Sequence, residues 1–278
     1  MQKMKNWCIY AALTLIGVIY TPPSIANEQI QVRIERWLEV RHLTGTVLYS
    51  RGGNFQPAVN GMRLQAVGDT ISTKENSRTI LALDSGMGFI QVSENTTLTV
   101  LELQAAKSGG KITQLAVKAG QVRLQVRPFT NPASRLEIHT PVGISGVRGT
   151  EFGVTVQPNG KTSVATLEGG VATAAQGQTV LVNAGFQNFT AQGEPPSIPV
   201  PIQENTHLNL SQIITHKHQV RVVGNIDPVN MLKIVQHTVN TDTKGKFDIT
   251  VPLSANRRIK ALVITPLGKK QLYELAVP

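Results

Sequence analysis

Apolar and polar side chains alternate with a period of two through much of this chain. Residues 122–126 read Val-Arg-Leu-Gln-Val, and residues 152–156 read Phe-Gly-Val-Thr-Val. Because successive side chains of a strand point to opposite faces, this pattern predicts half-buried strands. Turn residues separate such runs at the spacing of hairpins, at residues 52–53, 109–110, 158–160 and 169–170. We therefore predict an all-β fold.

A cluster of prolines divides the chain into two β-rich parts. Four prolines crowd into residues 193–201, and proline removes ladder donors and favours extended linkers. The predicted organisation is a leader at residues 1–26, a β domain at 27–191, a Pro-rich linker at 192–218 and a small β-sandwich at 219–278. Residues 30–38 fit a helix or a strand, and we favour the strand, whereas residues 205–214 fit a short helical turn.

The leader has the form of a secretory signal peptide. Two lysines start it, an apolar run follows over residues 7–20, and Ser24 and Ala26 place small residues at the expected cleavage site. The apolar run is shorter than the roughly 20 residues of a membrane span, although an uncleaved anchor is the alternative. We expect export to the periplasm or the medium, Asn27 as the mature N-terminus and no stable transmembrane segment. Cys8 lies in the leader, so the mature chain would hold no thiol.

The chain is basic, with 27 Lys and Arg against 17 Asp and Glu and a formal net charge of +10. Only Lys3 and Lys5 would be lost with the leader. For an exported protein, the expected counter-charges are anionic envelope polymers or lipid head groups rather than nucleic acid. A charge that merely keeps the surface soluble explains the excess equally well.

A glycine-rich stretch, residues 140–153, joins two of the predicted strands. Pro141 restrains the chain where it leaves the first strand, and Gly143, Gly146 and Gly149 permit backbone conformations that other residues avoid. Phe152 then returns to a ladder. We interpret this stretch, hereafter the glycine motif, as architecture. Its glycines do not predict a phosphate site, because the Lys-Ser ending and following helix of such a site are both missing.

Three polar residues of the glycine motif, Arg148, Thr150 and Glu151, are the predicted contact with a partner. Arg148 is the residue that would bind an anionic group. A guanidinium at this place serves equally well to cap carbonyls of its own loops, and we favour that structural role.

Two further residue sets suggest chemistry. Asp84 lies in a Leu-Asp-Ser-Gly stretch of the form found in aspartic proteases. That chemistry needs two aspartates that share a proton, so a homodimer would have to supply the second. His207, His216 and His218 surround the linker, the last two on one predicted strand face, but chance accounts for them better than metal binding. We expect a non-enzymatic protein without cofactor or metal.

Several segments between residue 45 and about residue 195 together resemble the FecR domain, the extracytoplasmic β-rich part of iron-transport regulators and of other exported proteins. They include Val-Gly-Asp-Thr at residues 67–70, Thr-Pro-Val-Gly at 140–143 and Arg-Gly-Thr-Glu-Phe-Gly at 148–153. The resemblance implies an elongated arrangement of stacked strands that works by protein contact. Regulators of the family relay transporter occupancy to a cytoplasmic anti-sigma segment. This sequence resembles the signal-peptide type without that segment, so we do not expect direct transcriptional control.

The C-terminal part, especially residues 241–253, resembles bacterial immunoglobulin-like modules, which serve as spacers or adhesive units. A module of about sixty residues has little core of its own, so we expect it to pack against the first domain.

The leading functional hypothesis is an exported protein that contacts an envelope or outer-membrane protein in sensing, signalling or scaffolding. The alternative is a module that binds envelope polysaccharide or peptidoglycan. The basic charge favours this alternative, but the chain has only four Tyr and two Trp, and sugar sites usually need aromatic platforms. A dimeric aspartic protease using Asp84 is the remote alternative.

Overall fold

The computed structural model describes residues 35–84 and 86–278, and every regular element among them is a β-strand. The all-β prediction is therefore confirmed. The predicted leader at residues 1–26 lies outside the described residues, as does the start of the segment 30–38 that we expected to be a strand; within that segment, a strand begins at Leu38.

The strands fall into a large N-terminal group and a smaller C-terminal group. The first group is β1 Leu38–Thr44, β2 Val47–Arg51, β3 Asn54–Pro57, β4 Arg63–Leu64, β5 Thr70–Thr73, β6 Arg78–Leu83, β7 Gly88–Val92, β8 Thr97–Ala105, β9 Lys111–Val126, β10 Arg135–Thr140, β11 Gly143–Val147, β12 Glu151–Val156, β13 Thr162–Glu168, β14 Gly170–Ala175, β15 Gln178–Asn183, β16 Phe186–Thr190 and β17 Val200–Pro201. The second group is β18 Asn209–His216, β19 Gln219–Asn225, β20 Met231–Ile234, β21 His237–Val239, β22 Lys246–Pro252, β23 Arg258–Ile264 and β24 Lys270–Ala276.

Backbone pairing arranges the N-terminal group as two sheets that share β9. The first sheet has the order β4-β1-β6-β7-β9-β12-β13-β16-β17, and all its pairs are antiparallel. The second sheet has the order β3-β2-β5-β8-β9-β10-β11-β14-β15, in which β9 and β10 run parallel. One long strand therefore links the two layers.

Strand β9 changes sheets at Gly120. Residues up to Ala119 pair with β8 in the second sheet, whereas residues from Gly120 onward pair with β12 in the first. The backbone of Gly120 has φ +100°, and a Cβ there would collide with Oγ1 of Thr96. That hydroxyl also accepts a hydrogen bond from Gln121 N at 3.0 Å. The crossing thus requires glycine for both its backbone angle and the space beside it.

The inward faces of both sheets fill a single apolar core. Leu124 and Phe152 enter it from the first sheet, and Leu115 and Ile138 enter it from the second; all four are fully buried. Full burial of a side chain of this size contributes roughly 1.5–3 kcal/mol. The alternation seen in the sequence is therefore the pattern of side chains that enter this core.

The C-terminal strands form two smaller sheets, β18-β19-β22 and β21-β20-β23-β24. Val222, Leu232 and Val263 are buried in their common core. The predicted helical turn at residues 205–214 is wrong, because from Asn209 onward this segment pairs with β19 as strand β18. The C-terminal strands thus begin within the range assigned to the linker. The immunoglobulin-like assignment stays a prediction.

The C-terminal sheets pack on the outer face of the first sheet, and the described residues from 35 onward belong to one compact unit. Gln121 Nε2 donates to Thr265 O at 2.8 Å. Gln157 Oε1 accepts from Thr241 N at 2.9 Å, and a Cβ on Gly153 would collide with the carbonyl oxygen of the Pro266 turn. Residues 152–156 are therefore buried on both faces, contrary to the half-buried strand that the sequence predicted.

Charged side chains also cross this boundary. Glu94 lies 3.0 Å from Lys233 Nζ and 3.6 Å from Lys270 Nζ. Burial raises the pKa of the Glu94 carboxyl, but the Asn76 N–H and the Lys233 ammonium outweigh it, so the pKa lies below its ordinary value. Lys161 Nζ donates to Thr241 Oγ1 at 2.6 Å and is almost fully buried. The boundary is held largely by polar contacts.

We predict that Gly120→Ala lowers the free energy of unfolding by roughly 3 kcal/mol, because it adds backbone strain to a steric collision. Urea unfolding measures the loss. The matched control is Gly52→Ala, since Gly52 also has a positive φ, +63°, but has open space where the Cβ would lie. Its expected cost is about 1 kcal/mol. Equal losses in the two variants would contradict the steric role of Gly120.

We predict a pH dependence that originates at Lys161. Burial lowers the pKa of its ammonium from 10.5 to about 8, although Asp242 and Asp227 act in the opposite direction. The folded state then binds fewer protons than the unfolded state between these values, so folding stability should rise as the pH increases from about 8 to about 10.4. Relative to Lys161→Met, the wild type should gain roughly 3 kcal/mol across this window in urea unfolding. Parallel pH profiles of the two proteins would disprove the assignment.

Candidate contact surface

The glycine motif contains the end of β10, the whole of β11, the tight turn after it and the start of β12. Gly149 in the turn has φ +111°, and a Cβ there would collide with Pro128 Cα. Gly143 has an ordinary φ, but its Cβ would lie 2.5 Å from Ala174 O on the neighbouring strand. Phe152 is fully buried in the core, and Pro141 is exposed in the turn between β10 and β11. These four residues serve the architecture of the chain.

The structure does not bring the three predicted contact residues together. Arg148 is exposed and donates from Nη2 to Pro132 O at 2.8 Å, which is the loop-capping role considered from the sequence. Thr150 is buried and therefore offers nothing to a partner, because the chain turns inward before β12. Glu151 faces out of the first sheet and accepts from Arg123 Nη2 at 2.5 Å. Only Arg148 and Glu151 reach the surface.

Gly146 differs from the other glycines of the motif. It lies in the interior of β11, without a positive φ, and a Cβ there would meet nothing within 4 Å. Glycine within a strand costs roughly 0.5–1 kcal/mol relative to alanine. Neither the backbone nor the packing explains this residue, contrary to the conformational role that the sequence predicted. Glycine in a strand often marks a place where another backbone approaches closely.

The surface around Gly146 is formed mainly by small and apolar residues. Gly146 pairs with Ala172 of β14, which pairs with Leu181 of β15. In the next row, Ile144 pairs with Ala174. Leu181 and Ile144 are 57% and 39% exposed, although both are large apolar side chains. We call these five residues the small-residue face; it covers three strands on the outside of the second sheet.

A polar border lies beside this face on β10. Glu137 is next to Gly146 across the sheet, and its carboxylate lies 3.4 Å from Arg135 Nε and 3.1 Å from His139 Nε2. An apolar centre with a polar border is the usual organisation of a protein interface.

The opposite border of the small-residue face is the edge strand β15. Among the residues that the structure describes, β15 pairs only with β14. Its sequence, Gln-Thr-Val-Leu-Val-Asn, contains no charge and no proline. Natural edge strands are usually protected by such residues, because an open edge presents unpaired backbone donors and acceptors to another strand. This edge therefore has the chemistry of a strand-pairing site.

Asp84 has a structural role. Its carboxylate accepts from Arg36 Nε at 2.8 Å and from Trp37 N at 3.0 Å. Arg36 is almost fully buried and also donates from Nη2 to Thr113 Oγ1 at 2.8 Å. The Asp84 carboxylate is therefore bound to groups of its own chain, whereas the catalytic dyad needs it opposite a second aspartate. The geometry therefore argues against the aspartic protease alternative.

The histidines around the predicted linker are exposed. His216 ends β18, and His218 follows a turn in which Lys217 has φ +53°. The two histidines thus do not share one strand face, contrary to the prediction. Within residues 35–84 and 86–278, no three His, Cys, Asp or Glu side chains converge as metal ligands. In the same part of the chain, no helix is long and apolar enough to cross a membrane.

The sequence reasoning missed the small-residue face. The sequence signal for this face was Leu181, a leucine in a strand without charges. Whether that side chain points outward, however, depends on the register with β14. The pairing of Leu181 with Ala172 joins residues in adjacent strands, whereas Gly146 enters the same row through pairing across a longer stretch of chain. The period-two pattern alone does not reveal such a row.

Among the comparisons with known proteins, the match to a family model supports the FecR resemblance over part of the chain. No curated protein sequence matches this chain. Two crystal structures of a protein described as an anti-sigma factor from Parabacteroides distasonis share 14% identity with it, at a TM-score of 0.40. The alignment covers 48% of this chain and 59% of the length of the anti-sigma factor chain. A polysaccharide lyase aligns over 87% of this chain and 40% of its own, with 9% identity and a TM-score of 0.20. Residues 69–172, which include the glycine motif, match the family model described as FecR protein.

Proposed function

We propose that this protein is an exported FecR-domain protein of the periplasm or the cell exterior, acting by contact with an envelope or outer-membrane protein. The family match over residues 69–172 supports a signalling-related role. Sensing, signalling and scaffolding all require a surface that another protein recognises. The observation that carries the proposal is Gly146, a strand-interior glycine that the fold itself does not need.

The partner is expected to present an extended strand. The open edge of β15 offers backbone groups that a second strand satisfies, in the mode known as β-augmentation. Beside that edge lie three residues with small or no side chains, Gly146, Ala172 and Ala174. A second backbone or an apolar side chain can therefore approach the sheet closely there. Leu181 and Ile144 then lose their exposed area to the partner, which favours association.

Charge around this surface gives orientation rather than affinity. Arg135 is exposed, while Glu137 and His139 are half-buried beside it. Polar groups at the border of an interface mainly determine encounter rate and register. Arg148 lies at the end of β11 with its guanidinium already bound to Pro132 O, so it contributes less to the contact than the apolar residues.

We predict that Leu181→Lys and Gly146→Val each weaken crosslinking of the protein to its partner in envelope fractions about tenfold or more. The lysine places a charge on the edge strand, and the valine adds a branched side chain where the partner would approach closely. Both variants should fold normally in thermal unfolding, because Leu181 is exposed and the space beside Gly146 is open. Quantitative crosslinking and pull-down measure the effect.

The matched control is Leu272→Lys, which charges an equally exposed leucine, 55% against 57%, on strand β24 of the C-terminal sheets. Its crosslinking should equal that of the wild type. An equal loss in the control would show a general charge effect. Crosslinking that survives both test variants but disappears in Arg148→Ala would place the contact on the motif turn instead and overturn the proposed surface.

A further inference from the structure

A broad groove crosses the outer face of the first sheet, on the other side of the core from the small-residue face. It spans β1, β6, β7, β9 and β12 and has a cavity volume of about 960 Å³. Trp37 and Phe89 both line it. Trp37 is the only tryptophan of the chain outside the predicted leader. The chain has few aromatic residues, but two of them lie in this groove, where they form aromatic platforms.

Strand register places the groove residues in lines across the sheet. One line contains Glu39, Ala82, Phe89, Gln125 and Glu151, each paired with the next on the neighbouring strand. Because neighbouring strands lie about 4.8 Å apart, four spacings give this line a length of about 19 Å. A parallel line, two residues along, contains Arg41, Ile80, Gln91 and Arg123. The groove therefore suits an extended ligand.

One aromatic ring of the groove stacks with a guanidinium, and the other is exposed. The Trp37 ring lies 4.1 Å from the Arg63 guanidinium, measured to the ring centroid, and its backbone N–H is fixed by Asp84. Phe89 is 49% exposed in the middle of the face. Its neighbour on β6 is Ala82, whose small side chain leaves the ring open on that side. Exposed aromatic rings in such positions are suited to stacking against an apolar ring face.

The polar groups around the rings carry both signs in compensated pairs. A carboxylate oxygen of Glu39 lies 2.8 Å from Arg41 Nη2 in an ion pair, and Glu151 accepts from Arg123 Nη2 at 2.5 Å. Gln125 between them is exposed and both donates and accepts. A charged polymer would meet repulsion from one member of each pair. Hydroxyl groups, which donate and accept at once, match this alternation of carboxylate, amide and guanidinium.

The backbone under the groove is closed to a peptide strand. Strand β7 is paired on both sides, with β6 and with β9, so its backbone groups are already satisfied. A ligand on this face must be recognised by side chains alone. This differs from the open edge of β15, where backbone pairing favours a protein.

The groove continues toward the C-terminal sheets. A second depression of about 720 Å³ shares Ile80, Gln91 and Arg123 with it and is bounded by Leu267 and Gly268. The side chain of Arg123 donates from Nη1 to Leu267 O at 3.5 Å. The C-terminal sheets thus form one wall of this second depression, and the continuous length of groove and depression favours a chain of several units over a single small molecule.

We propose that this groove binds an extended, uncharged glycan chain, with Trp37 and Phe89 stacking on sugar rings and Gln125 with the Arg–Glu pairs bonding to hydroxyls. The proposal is independent of the protein contact on the second sheet. It gives the basic chain a ligand that is recognised by ring stacking rather than by net charge.

The test titrates the exported protein with neutral hexasaccharides of glucose and of N-acetylglucosamine, following the fluorescence of Trp37. We expect a saturable change with at least one of them. Phe89→Ala should weaken this binding about tenfold, the loss of one stacked aromatic contact. The matched control is Phe55→Ala, which removes a somewhat more exposed phenylalanine, 58% against 49%, from β3 of the second sheet. It should bind as the wild type does.

Three results would overturn the proposal. One is no saturable response to either hexasaccharide. Another is tighter binding of an anionic oligouronate that high salt abolishes, which would indicate an electrostatic site. The third is equal loss in Phe89→Ala and Phe55→Ala. Leu181→Lys should bind the hexasaccharide normally, so a failure of the glycan site and a failure of the protein contact are distinguished.

Discussion

The passage of β9 from one sheet to the other is the constraint on which the rest of the structure depends. This single strand belongs to both layers because its pairing partner changes at Gly120, whose backbone angle and close contact with Thr96 leave no room for a side chain. Each half of β9 then sets the register of its neighbours. The N-terminal half aligns β10, and through it β11 with Gly146. The C-terminal half aligns β7 and β12, and so places Phe89 beside Gln125. Both proposed surfaces inherit their geometry from this strand.

The polar packing of the C-terminal sheets is the second determinant. A buried ammonium such as that of Lys161 costs free energy, and its hydrogen bonds to Thr241 Oγ1 and Asp242 O offset part of that cost. Apolar packing would be stronger, but it would not specify orientation as narrowly. Gln121 and Gln157 extend from the first sheet to backbone groups of particular turns. Specific bonds of this kind fix where the Pro266 turn lies, and hence where the groove ends.

Local features of the structure could be predicted from the sequence, and features that depend on long-range pairing could not. The alternation at residues 122–126 identified a strand, because its burial follows directly from the period of two. The same pattern at residues 152–156 wrongly predicted an exposed outer face, because the C-terminal sheets cover that face. Gly149 was recognisable by its place in a turn. The structural role of Asp84 was not recognisable, because its partner Arg36 lies 48 residues away in the chain. The line from Glu39 to Glu151 likewise needs four pairings that no local signal encodes.

The two surfaces face away from one common core, so a ligand on one does not exclude a partner on the other. A protein that bridges a wall polymer and an envelope protein needs only this arrangement. Sensing needs more, because a ligand shifts an equilibrium only by its differential affinity for two states. The depression that adjoins the groove supplies a physical basis for such a difference: one side of it belongs to the first sheet and the other to the Leu267 turn. A glycan that touches both walls binds only when the C-terminal sheets are docked, and its binding free energy therefore adds to that of docking.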